Sequence, residues 1–530
     1  MRITRRHFGH ALLGAMASWT ATSTVAQGSQ VASTGQGGGR PPWQVGGDKQ
    51  LFIDHRFIET KENITLVVNP PVKRPGAILH SDRPWDAFRL IWFSVAEGKG
   101  EYKMWYQAYD VDQWARGSKS RLCYAVSQDG LNWTKPNLGL VAYHGSKDNN
   151  ILMEDKKLAY VFCDPHGAPE ERYKTIFGWQ RGTPGTRVGV SPDGIHWKLP
   201  DVGCLPPGPD TQKQAWWDHR LNKYVVYLRV MVSKENKPSF PFVSPIESNP
   251  PVVAPKIMRP GRALGRVEMD DITKPWPTDA IRTVFTADEL DPAGSDIYHH
   301  NVYPYPFAAD AYFMFPFTYQ HFRSGESDVG NDGVNDVQFA ASRDGIHWMR
   351  YDRKPYIARG LPGEPEGGIV SATGFHIRKG NYLYQYYSAW PWTHGGFRRL
   401  SPQQRQDKAN WGRQHYGVAI QRLDGFVSAD APYAGGWLIT PPIVFGGNRL
   451  SLNINVAALG EARVEIRDEK GRAIPGFALA DCDRILFNDV AYTVKWKGKS
   501  DVSALSGRPV RLKIFMRSAK LYAFQFLGAE

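Results

Sequence analysis

Short apolar runs, each ending in a polar turn, recur along this chain. Three of them end in a serine, an Asp-Gly pair and then a tryptophan three residues after the glycine, at 127–133, 191–197 and 342–348. The Asp-Gly pair supplies the positive φ that a tight turn between antiparallel strands requires. The tryptophan anchors the following segment in an apolar core. Each copy therefore predicts two antiparallel strands joined by a turn.

The spacing of these copies predicts further ones. The interval between the second and third copies is more than twice the interval between the first and second, and residues 265–276 fit the gap as a degenerate copy. Residues 416–426 form a weaker fifth copy. Five units of roughly 60 to 80 residues, without amphipathic helices, are typical of the blades of a β-propeller. We predict an all-β fold with a five-bladed propeller; chance recurrence in an ordinary β-sandwich is the alternative.

A different pattern begins near residue 432. Alternating apolar and polar positions predict strands, separated by polar turns, at 450–456, 462–467, 492–496, 510–515 and 520–526. About 95 residues with this alternation are enough for an independent antiparallel β-sandwich. We therefore expect such a sandwich over 432–530, where it would brace the propeller or bind carbohydrate.

The first residues predict a targeting segment. Thr4–Phe8 contains an Arg-Arg pair and precedes an uncharged, mildly apolar run, Ala11–Val25, followed by a small residue. This order predicts a twin-arginine export signal over 1–26, and the run is shorter than the roughly 18 residues of a membrane anchor. Residues 27–46 predict a flexible spacer, which leaves 47–431 for the propeller. We expect a periplasmic or secreted protein with no stable membrane insertion after signal removal.

Composition and charge limit the kinds of binding partner that fit this sequence. The 530 residues include 52 Gly, 38 Pro and 18 Trp, as many tight turns and aromatic-packed sheets require. The net charge of +13 is spread without a dense Lys/Arg run, which fits anionic polysaccharide or phosphate better than nucleic acid for an exported protein. The four cysteines lack Cys-x-x-Cys spacing, and no phosphate loop or haem motif is present. We predict four buried free cysteines, no metal and no cofactor, and leave the oligomeric state open.

Several segments resemble the five-bladed propeller glycosidases, the superfamily of glycoside hydrolase families 32, 43 and 68, and especially the bacterial family-32-like branch. The resemblance covers roughly residues 48–430 and is carried by Leu51–Ile58, Pro70–Lys73, Pro84–Asp86, Met104–Tyr106, Gly145–Asn150, Asp164-Pro165 and Glu171–Lys174. It implies a glycoside hydrolase that acts on a plant or microbial oligosaccharide or polysaccharide. Carboxylates in the central pocket would perform the reaction.

In that fold the innermost strand of each blade lines the channel, so acids near these strands can converge. Glycoside hydrolysis uses two carboxyl groups that flank the scissile bond, and crowding pushes their pKa values apart. The resemblance assigns two catalytic roles to Asp86, a loose match, and Asp164. The family's glutamate is absent, so Asp210 replaces it, Glu366 acts as the acid, or the catalytic set is lost. The structural alternatives are a strand-entry cap for Asp86 and an Asp-Pro turn for Asp164.

Predicted substrate contacts combine aromatic platforms with polar groups that bind sugar hydroxyls. They are Trp85, Arg89, Asp296, His300, Trp390 and His394. Two other functions stay open: an inverting phosphorylase in which Arg89, His300 or Arg229 holds phosphate, and a carbohydrate-binding propeller without a working acid. Retaining and inverting chemistry also stay open, because they differ in the separation of the carboxyl groups.

Overall fold

The computed structural model describes residues 41–528, except 99, 111–119, 157–158, 179–182, 209, 233–260, 293, 323–330, 402, 405–406 and 408–412. It is all-β, with 50% strand and 4% helix, which confirms the predicted class. The predicted export signal and most of the predicted spacer lie outside the described residues. Within the described part, no helix is long and apolar enough to cross a membrane.

The described residues form thirty-three strands, which are numbered in chain order. They are β1 Trp43–Gly46, β2 Gln50–Leu51, β3 Thr60–Glu62, β4 Thr65–Val68, β5 Val72–Lys73, β6 Leu79–His80, β7 Arg89–Glu97, β8 Tyr102–Tyr109, β9 Arg121–Ser127, β10 Ile151–Glu154, β11 Tyr160–Cys163, β12 Tyr173–Phe177, β13 Arg187–Ser191, β14 Gln214–Asp218, β15 Lys223–Val232, β16 Gly261–Met269, β17 Arg282–Phe285, β18 Ser295–His299, β19 Val302–Tyr305, β20 Ala311–Met314, β21 Phe317–His321, β22 Gly333–Val337, β23 Ala340–Ser342, β24 Trp348–Arg350, β25 Ile369–Lys379, β26 Tyr382–Trp390, β27 His415–Arg422, β28 Val427–Ala431, β29 Gly436–Ile439, β30 Ile443–Phe445, β31 Arg449–Asp468, β32 Asn488–Thr493 and β33 Val510–Leu527. Single 3₁₀ turns occupy Pro169–Glu171, Thr278–Ala280, Gly396–Arg399 and Ser503–Leu505.

Four small antiparallel sheets, three of them meanders of successive strands, occur in the described part of the chain, which has a propeller-like arrangement of four blades. Their orders are β7-β8-β9-β10, β11-β12-β13, β14-β15-β16-β17 and β19-β20-β23-β24. Aromatic and branched residues fill the space between neighbouring sheets, as in the cluster that joins Phe162 and Val188 to Trp217 and Val226. Burial on both faces explains why these strands read as short continuous apolar runs.

A further antiparallel meander, β25-β26-β27, belongs to an eight-stranded sheet. Its outer edge is completed by β5 and β6 from the N-terminal part of the chain, which pair with β27 at Ile420–Val72 and His415–His80. On the other side, β25 meets β22 in parallel at Asn335–Ile369. Residues 72–80 therefore join a sheet whose other strands all lie more than 200 residues later in the chain.

The three Asp-Gly turns are built alike. In the first, Ser127 Oγ accepts the amide of Gly130 at 2.8 Å, and Asp129 Oδ1 accepts the two following amides, each at 2.8 Å. The same contacts recur at 191–196 and 342–347. The three glycines have φ of 77°, 80° and 72°, the left-handed region that glycine occupies without a Cβ penalty. The turns follow strands β9, β13 and β23, as predicted.

Each of these turns also attaches one sheet to another. The glycine carbonyl accepts a hydrogen bond from an aromatic side chain on the second strand of a different meander. The three pairs are Trp105 Nε1 with Gly194 at 2.7 Å, Tyr386 Oη with Gly130 at 2.8 Å, and Tyr227 Oη with Gly345. The repeat is thus both a turn within a sheet and a link between sheets.

The C-terminal strands form a ten-stranded sheet around β33, which pairs with β2, β28, β29, β30 and β31. A separate core of 31 buried residues supports it, from Val45 to Phe526. The N-terminal strands β1 to β4 belong to this sheet, since β1 pairs with β30 and β4 with β28. Residues 43–46, predicted as spacer, are therefore a strand, and residues 50–68 lie in the C-terminal sheet rather than in the propeller.

The cysteines follow the prediction with one exception. All four are free, and Cys123, Cys204 and Cys482 are buried. Cys163 is partly exposed at the end of β11, so it is not the buried residue that was predicted.

Candidate functional site

A pocket opens where the first residues of β7 and β25 meet the last residues of β18 and β26. Its walls come from β7, β18, β25 and β26 and from the segment that precedes β14. Aromatic rings contributed by Trp92, Tyr298 and Trp390 share this pocket with polar side chains, namely Arg89, Gln212, His299, Asn301, Ser371, Ser388 and His394. Among the described residues that line it, none is Asp or Glu.

Two β-bulges aim aromatic side chains into this pocket. In β7, Ile91 pairs with Gln107 and Phe93 with Tyr106, which leaves Trp92 as the extra residue. Trp92 has φ of 47°, a conformation that is costly for a bulky residue and clusters at functional sites.

The second bulge lies in β18, where the register shifts between Ile297 and His299 and leaves Tyr298 as the extra residue. The rings of Trp92 and Tyr298 are nearly parallel, 12° apart, with centroids 6.4 Å apart. Bulges beside active sites commonly re-aim a side chain in this way. The chain thus uses two irregular strand positions to place two rings opposite one another.

The hydrogen bonds of His394, a polar residue beside these rings, define its protonation state. Burial and the charge of Arg89 lower the pKa of His394 to about 4, so this imidazole is neutral at neutral pH. Its Nδ1 lies 3.0 Å from the carbonyl oxygen of Asn331, which can only accept, so Nδ1 carries the proton. Its Nε2 then accepts from the hydroxyl of Tyr298 at 3.2 Å. His394 therefore orients Tyr298.

Arg89 occupies another wall of the pocket. Its guanidinium lies 3.9 Å from the ring centroid of Trp390, and burial lowers its pKa to about 10. The group remains charged at neutral pH and stacks on the indole as a cation on an aromatic face. Arg89, Trp390 and His394 are the three predicted substrate contacts that the structure brings together in the pocket.

Asp296 stands beside the pocket at the start of β18. Its Oδ2 accepts from Nη1 of Arg262 at 2.8 Å and lies 3.2 Å from Nε2 of His321. Burial would raise its pKa, but the hydrogen bonds and charges of His321 and Arg262 outweigh burial and lower the pKa. Its Oδ1 is buried, with no hydrogen-bond partner among the described residues. Asp296 is thus an ionised carboxylate with one buried oxygen that no described residue binds.

Asp210 is connected to the pocket by its ion pair with Arg229. Its Oδ1 forms an ion pair with Nη2 of Arg229, and its side chain is 46% exposed. The guanidinium of Arg229 lies 5.3 Å from the ring centroid of Tyr298. Asp210 and Asp296 are therefore the two predicted acids that approach the pocket, through the arginines behind Tyr298.

Asp86 does not line the pocket. It is fully buried, accepts from Nζ of Lys135 at 2.6 Å, and closes a short turn by accepting the amide of Arg83 at 2.8 Å. Burial raises its pKa, and the charge of Lys135 offsets part of that rise. The contacts match the strand-entry alternative, because the turn directly precedes β7.

Asp164 lies at the far end of its inner strand. Ala159, at the start of this strand, accepts a hydrogen bond from pocket-lining Gln212 at 2.6 Å. Five residues of strand then carry the chain about 16 Å further to Asp164. There the carboxylate accepts from Lys174 at 2.6 Å and from the hydroxyl of Tyr224 at 2.7 Å.

The same kind of hydrogen bond recurs in the next sheet, which explains the position of Asp164. Asp218, at the end of β14, accepts from the hydroxyl of Tyr312 at 2.5 Å. In both cases an aspartate at the end of an inner strand binds a tyrosine near the start of the second strand of the next sheet. Asp164 is therefore placed as a link between sheets, in agreement with the turn alternative.

Glu366 also has a structural position. It binds Lys73 of β5, the hydroxyl of Tyr387 at 2.7 Å and Nε2 of His415 at 3.5 Å. Burial alone would raise its pKa, but the hydrogen bonds from His415, Lys73 and Tyr387 prevail and lower it to about 2. An ionised carboxylate in this network cannot donate a proton near neutral pH, so the prediction that Glu366 is the general acid is not supported.

The two remaining predicted contacts lie outside the pocket lining. Trp85 donates to Asn150 at 2.8 Å and packs on Tyr143 within the first meander. His300 is fully buried behind His299, with ring centroids 4.5 Å apart. Burial lowers the pKa of His300 to about 3, so it is neutral.

The sequence did not identify Trp92, Tyr298, Arg262 or His321 as site residues. Bulges interrupt the alternation of a strand by one residue, so no regular pattern reveals Trp92 or Tyr298. The one available signal was the run from Asp296 to Asn301, in which an acid, a tyrosine and two histidines follow one another at the end of β18.

Comparisons with known proteins give similarities of structure only. No family model matches the chain, and no curated protein matches it. Similar solved structures include a glycoside hydrolase (15% identity, 66% of this chain and 92% of that one, TM-score 0.40). Another is a protein of the GH130 family of mannoside phosphorylases, which contains glycoside hydrolases that target β-1,2 mannosidic linkages in Candida mannan (14% identity, 71% of this chain and 96% of that one, TM-score 0.36).

A third similar structure is an N-acetylgalactosamine deacetylase from F. plautii in complex with blood group B trisaccharide (15% identity, 68% of this chain and 96% of that one, TM-score 0.40). Likeness at this level carries no argument about the pocket or its substrate. The site must be interpreted from its own residues.

Proposed function

We propose that the protein is a carbohydrate-active enzyme that cleaves glycosidic bonds at the central pocket. The observation that carries this proposal is the pair of bulged rings, Trp92 and Tyr298, next to the ionised carboxylate of Asp296. The C–H faces of a sugar ring pack on aromatic surfaces, and its hydroxyls need fixed polar partners. Arg89 and His394 supply such partners on the pocket wall.

The chemistry requires few groups. Cleavage breaks the bond between the anomeric carbon and the bridging oxygen; water supplies a hydroxyl to that carbon, and a proton goes to the bridging oxygen. We assign the role of base or nucleophile to Asp296, because it is ionised and its Oδ1 is unused within the described residues. Asp210 is the candidate for the second carboxyl, because it is the acid at the solvent-exposed side of Arg229.

Further parts of the proposal concern architecture and location. The meander β25-β26-β27 with β5 and β6 would be a fifth blade, closed by residues 72–80. The core from Val45 to Phe526 is consistent with a C-terminal β-sandwich. Export by the twin-arginine route would place the enzyme in the periplasm or outside the cell, where polymeric glycans are available.

The test is a glycan panel with reducing-end detection, run on the wild-type protein and on Asp296→Asn. We expect release of sugar by the wild type and loss of release in the variant. Asp336→Asn is the matched control, because Asp336 is a buried carboxylate bound to Arg359 at 3.2 Å and does not line the pocket. Binding without release by the wild type would instead indicate a carbohydrate-binding propeller.

A further inference from the structure

Arg229 carries buried hydrogen-bond donors that the protein does not use. The residue is 8% exposed. Its Nη2 pairs with Asp210, whereas Nε and Nη1 have no hydrogen-bond partner among the described residues. A buried N–H group without a partner is destabilising, and more so when the group is charged. Such groups therefore point to a missing ligand or to water.

Other unused polar atoms lie close to Arg229. His299 and Asn301 line the pocket, and their Nδ1 and Nδ2 atoms are buried without a partner in the described residues. Tyr298 lines the same pocket, and the guanidinium of Arg229 lies 5.3 Å from its ring centroid. Arg229 is therefore next to the part of the pocket wall that carries His299 and Asn301.

The local charge is cationic. Arg89, Arg229 and Arg262 surround Tyr298, with Cζ of Arg229 and Arg262 at 5.3 and 5.0 Å from its ring centroid. The acids beside them are Asp210 and Asp296, each bound to one arginine. The side chains of Arg229 and Asn301 offer hydrogen-bond donors. A ligand group that only accepts hydrogen bonds satisfies these donors better than a hydroxyl, which must also donate one.

We propose that Arg229, with the adjacent pocket wall at His299 and Asn301, forms a subsite for an oxyanion of the substrate. This inference rests on the proposed function and refines it. Guanidinium groups bind carboxylates, sulfates and phosphates through charge-assisted hydrogen bonds. The free Oδ1 of Asp296 is an acceptor and is left for a sugar hydroxyl or the reacting centre.

Two sources can supply this oxyanion. One is an acidic substituent of the glycan, a uronate carboxylate or a sulfate ester. The other is free phosphate, whose oxygen would attack the anomeric carbon in place of water to give a sugar 1-phosphate, while the proton again goes to the bridging oxygen.

The experiment measures binding of inorganic phosphate, glucuronate and glucose by calorimetry at constant ionic strength. We expect the wild type to bind one of the two anions more tightly than glucose, and Arg229→Gln to weaken that binding at least tenfold. Arg229→Lys, which keeps the charge but not the fork of donors, should give an intermediate loss. Arg266→Gln is the control, since Arg266 is a buried arginine of β16 paired with Glu268 and does not line the pocket.

Turnover assays then distinguish the two sources of the oxyanion. They also separate the proposal of glycosidic cleavage from the proposal of the oxyanion subsite. Cleavage that requires phosphate identifies phosphate, and cleavage of uronate or sulfated glycans in its absence identifies the substituent. Arg229-dependent anion binding without cleavage of any glycan would overturn the glycosidase proposal, whereas the subsite proposal would stand. Cleavage of neutral glycans with no anion bound, or with equal anion binding by wild type and Arg229→Gln, would overturn the subsite and show that water alone fills it.

Discussion

The turn at Gly194 allows a quantitative test of how the repeat holds neighbouring sheets together. Gly194 has φ of 80°, and a Cβ added there would lie 2.5 Å from Cζ2 of Trp105, whose side chain is 1% exposed. Alanine in the left-handed region costs about 1 to 2 kcal/mol. Moving a packed indole adds about 1 to 3 kcal/mol, and losing its 2.7 Å hydrogen bond to Gly194 about 1 kcal/mol more. We expect Gly194→Ala to destabilise the fold by about 3 to 6 kcal/mol.

Gly139→Ala isolates the backbone contribution. Gly139 has φ of 71°, and nothing lies within 4 Å of the added Cβ, so only about 1 to 2 kcal/mol should be lost. The assay is urea unfolding monitored by tryptophan fluorescence, with the two midpoints compared in one buffer. Equal midpoints for the two variants would refute the idea that contact between Gly194 and Trp105 holds the sheets together.

Three further predictions concern single side chains. Trp92→Gly should weaken glycan binding by about 1 kcal/mol, or roughly fivefold, in a fluorescence titration, because one ring face is lost. Asp164→Asn should lower the free energy of unfolding by about 3 kcal/mol, because it removes the buried carboxylate that pairs with buried Lys174 at 2.6 Å, and should not change turnover per folded molecule. The lowered pKa of Glu366 contributes stability above pH 4.5 that is lost as pH falls towards 2, so the stability gap between wild type and Glu366→Gln should shrink from pH 6 to pH 3.

The repeat made much of the fold predictable. An Asp-Gly pair between apolar runs is a local signal, because φ above zero and the side-chain bonds of serine and aspartate involve adjacent residues. The pairing of β1 to β4 with the C-terminal sheet was missed because contacts between residues 43–68 and the last hundred residues leave no local trace. The same holds for β5 and β6, which contribute the outer edge of the β27 meander.

The site was less predictable than the fold. Arg89, Trp390 and His394 were identified because they lie near expected inner strands, and the structure places them in one pocket. Asp86, Asp164 and Glu366 met the same criterion but turn towards Lys135, Lys174 and Lys73. The sequence gives the position of an acid along a strand, whereas bulges and buried lysines decide which way it faces.

The central claim is that glycan cleavage depends on Asp296 and not on Asp164. The measurement is the turnover number of the chain from residue 28 onwards on the best glycan of the panel, with circular dichroism as the control for folding. We predict a loss of about 100- to 10,000-fold for Asp296→Asn, with Asp164→Asn within about twofold of wild type per folded molecule. Activity above one-tenth of wild type in Asp296→Asn, or its loss in a fully folded Asp164→Asn, would contradict the account.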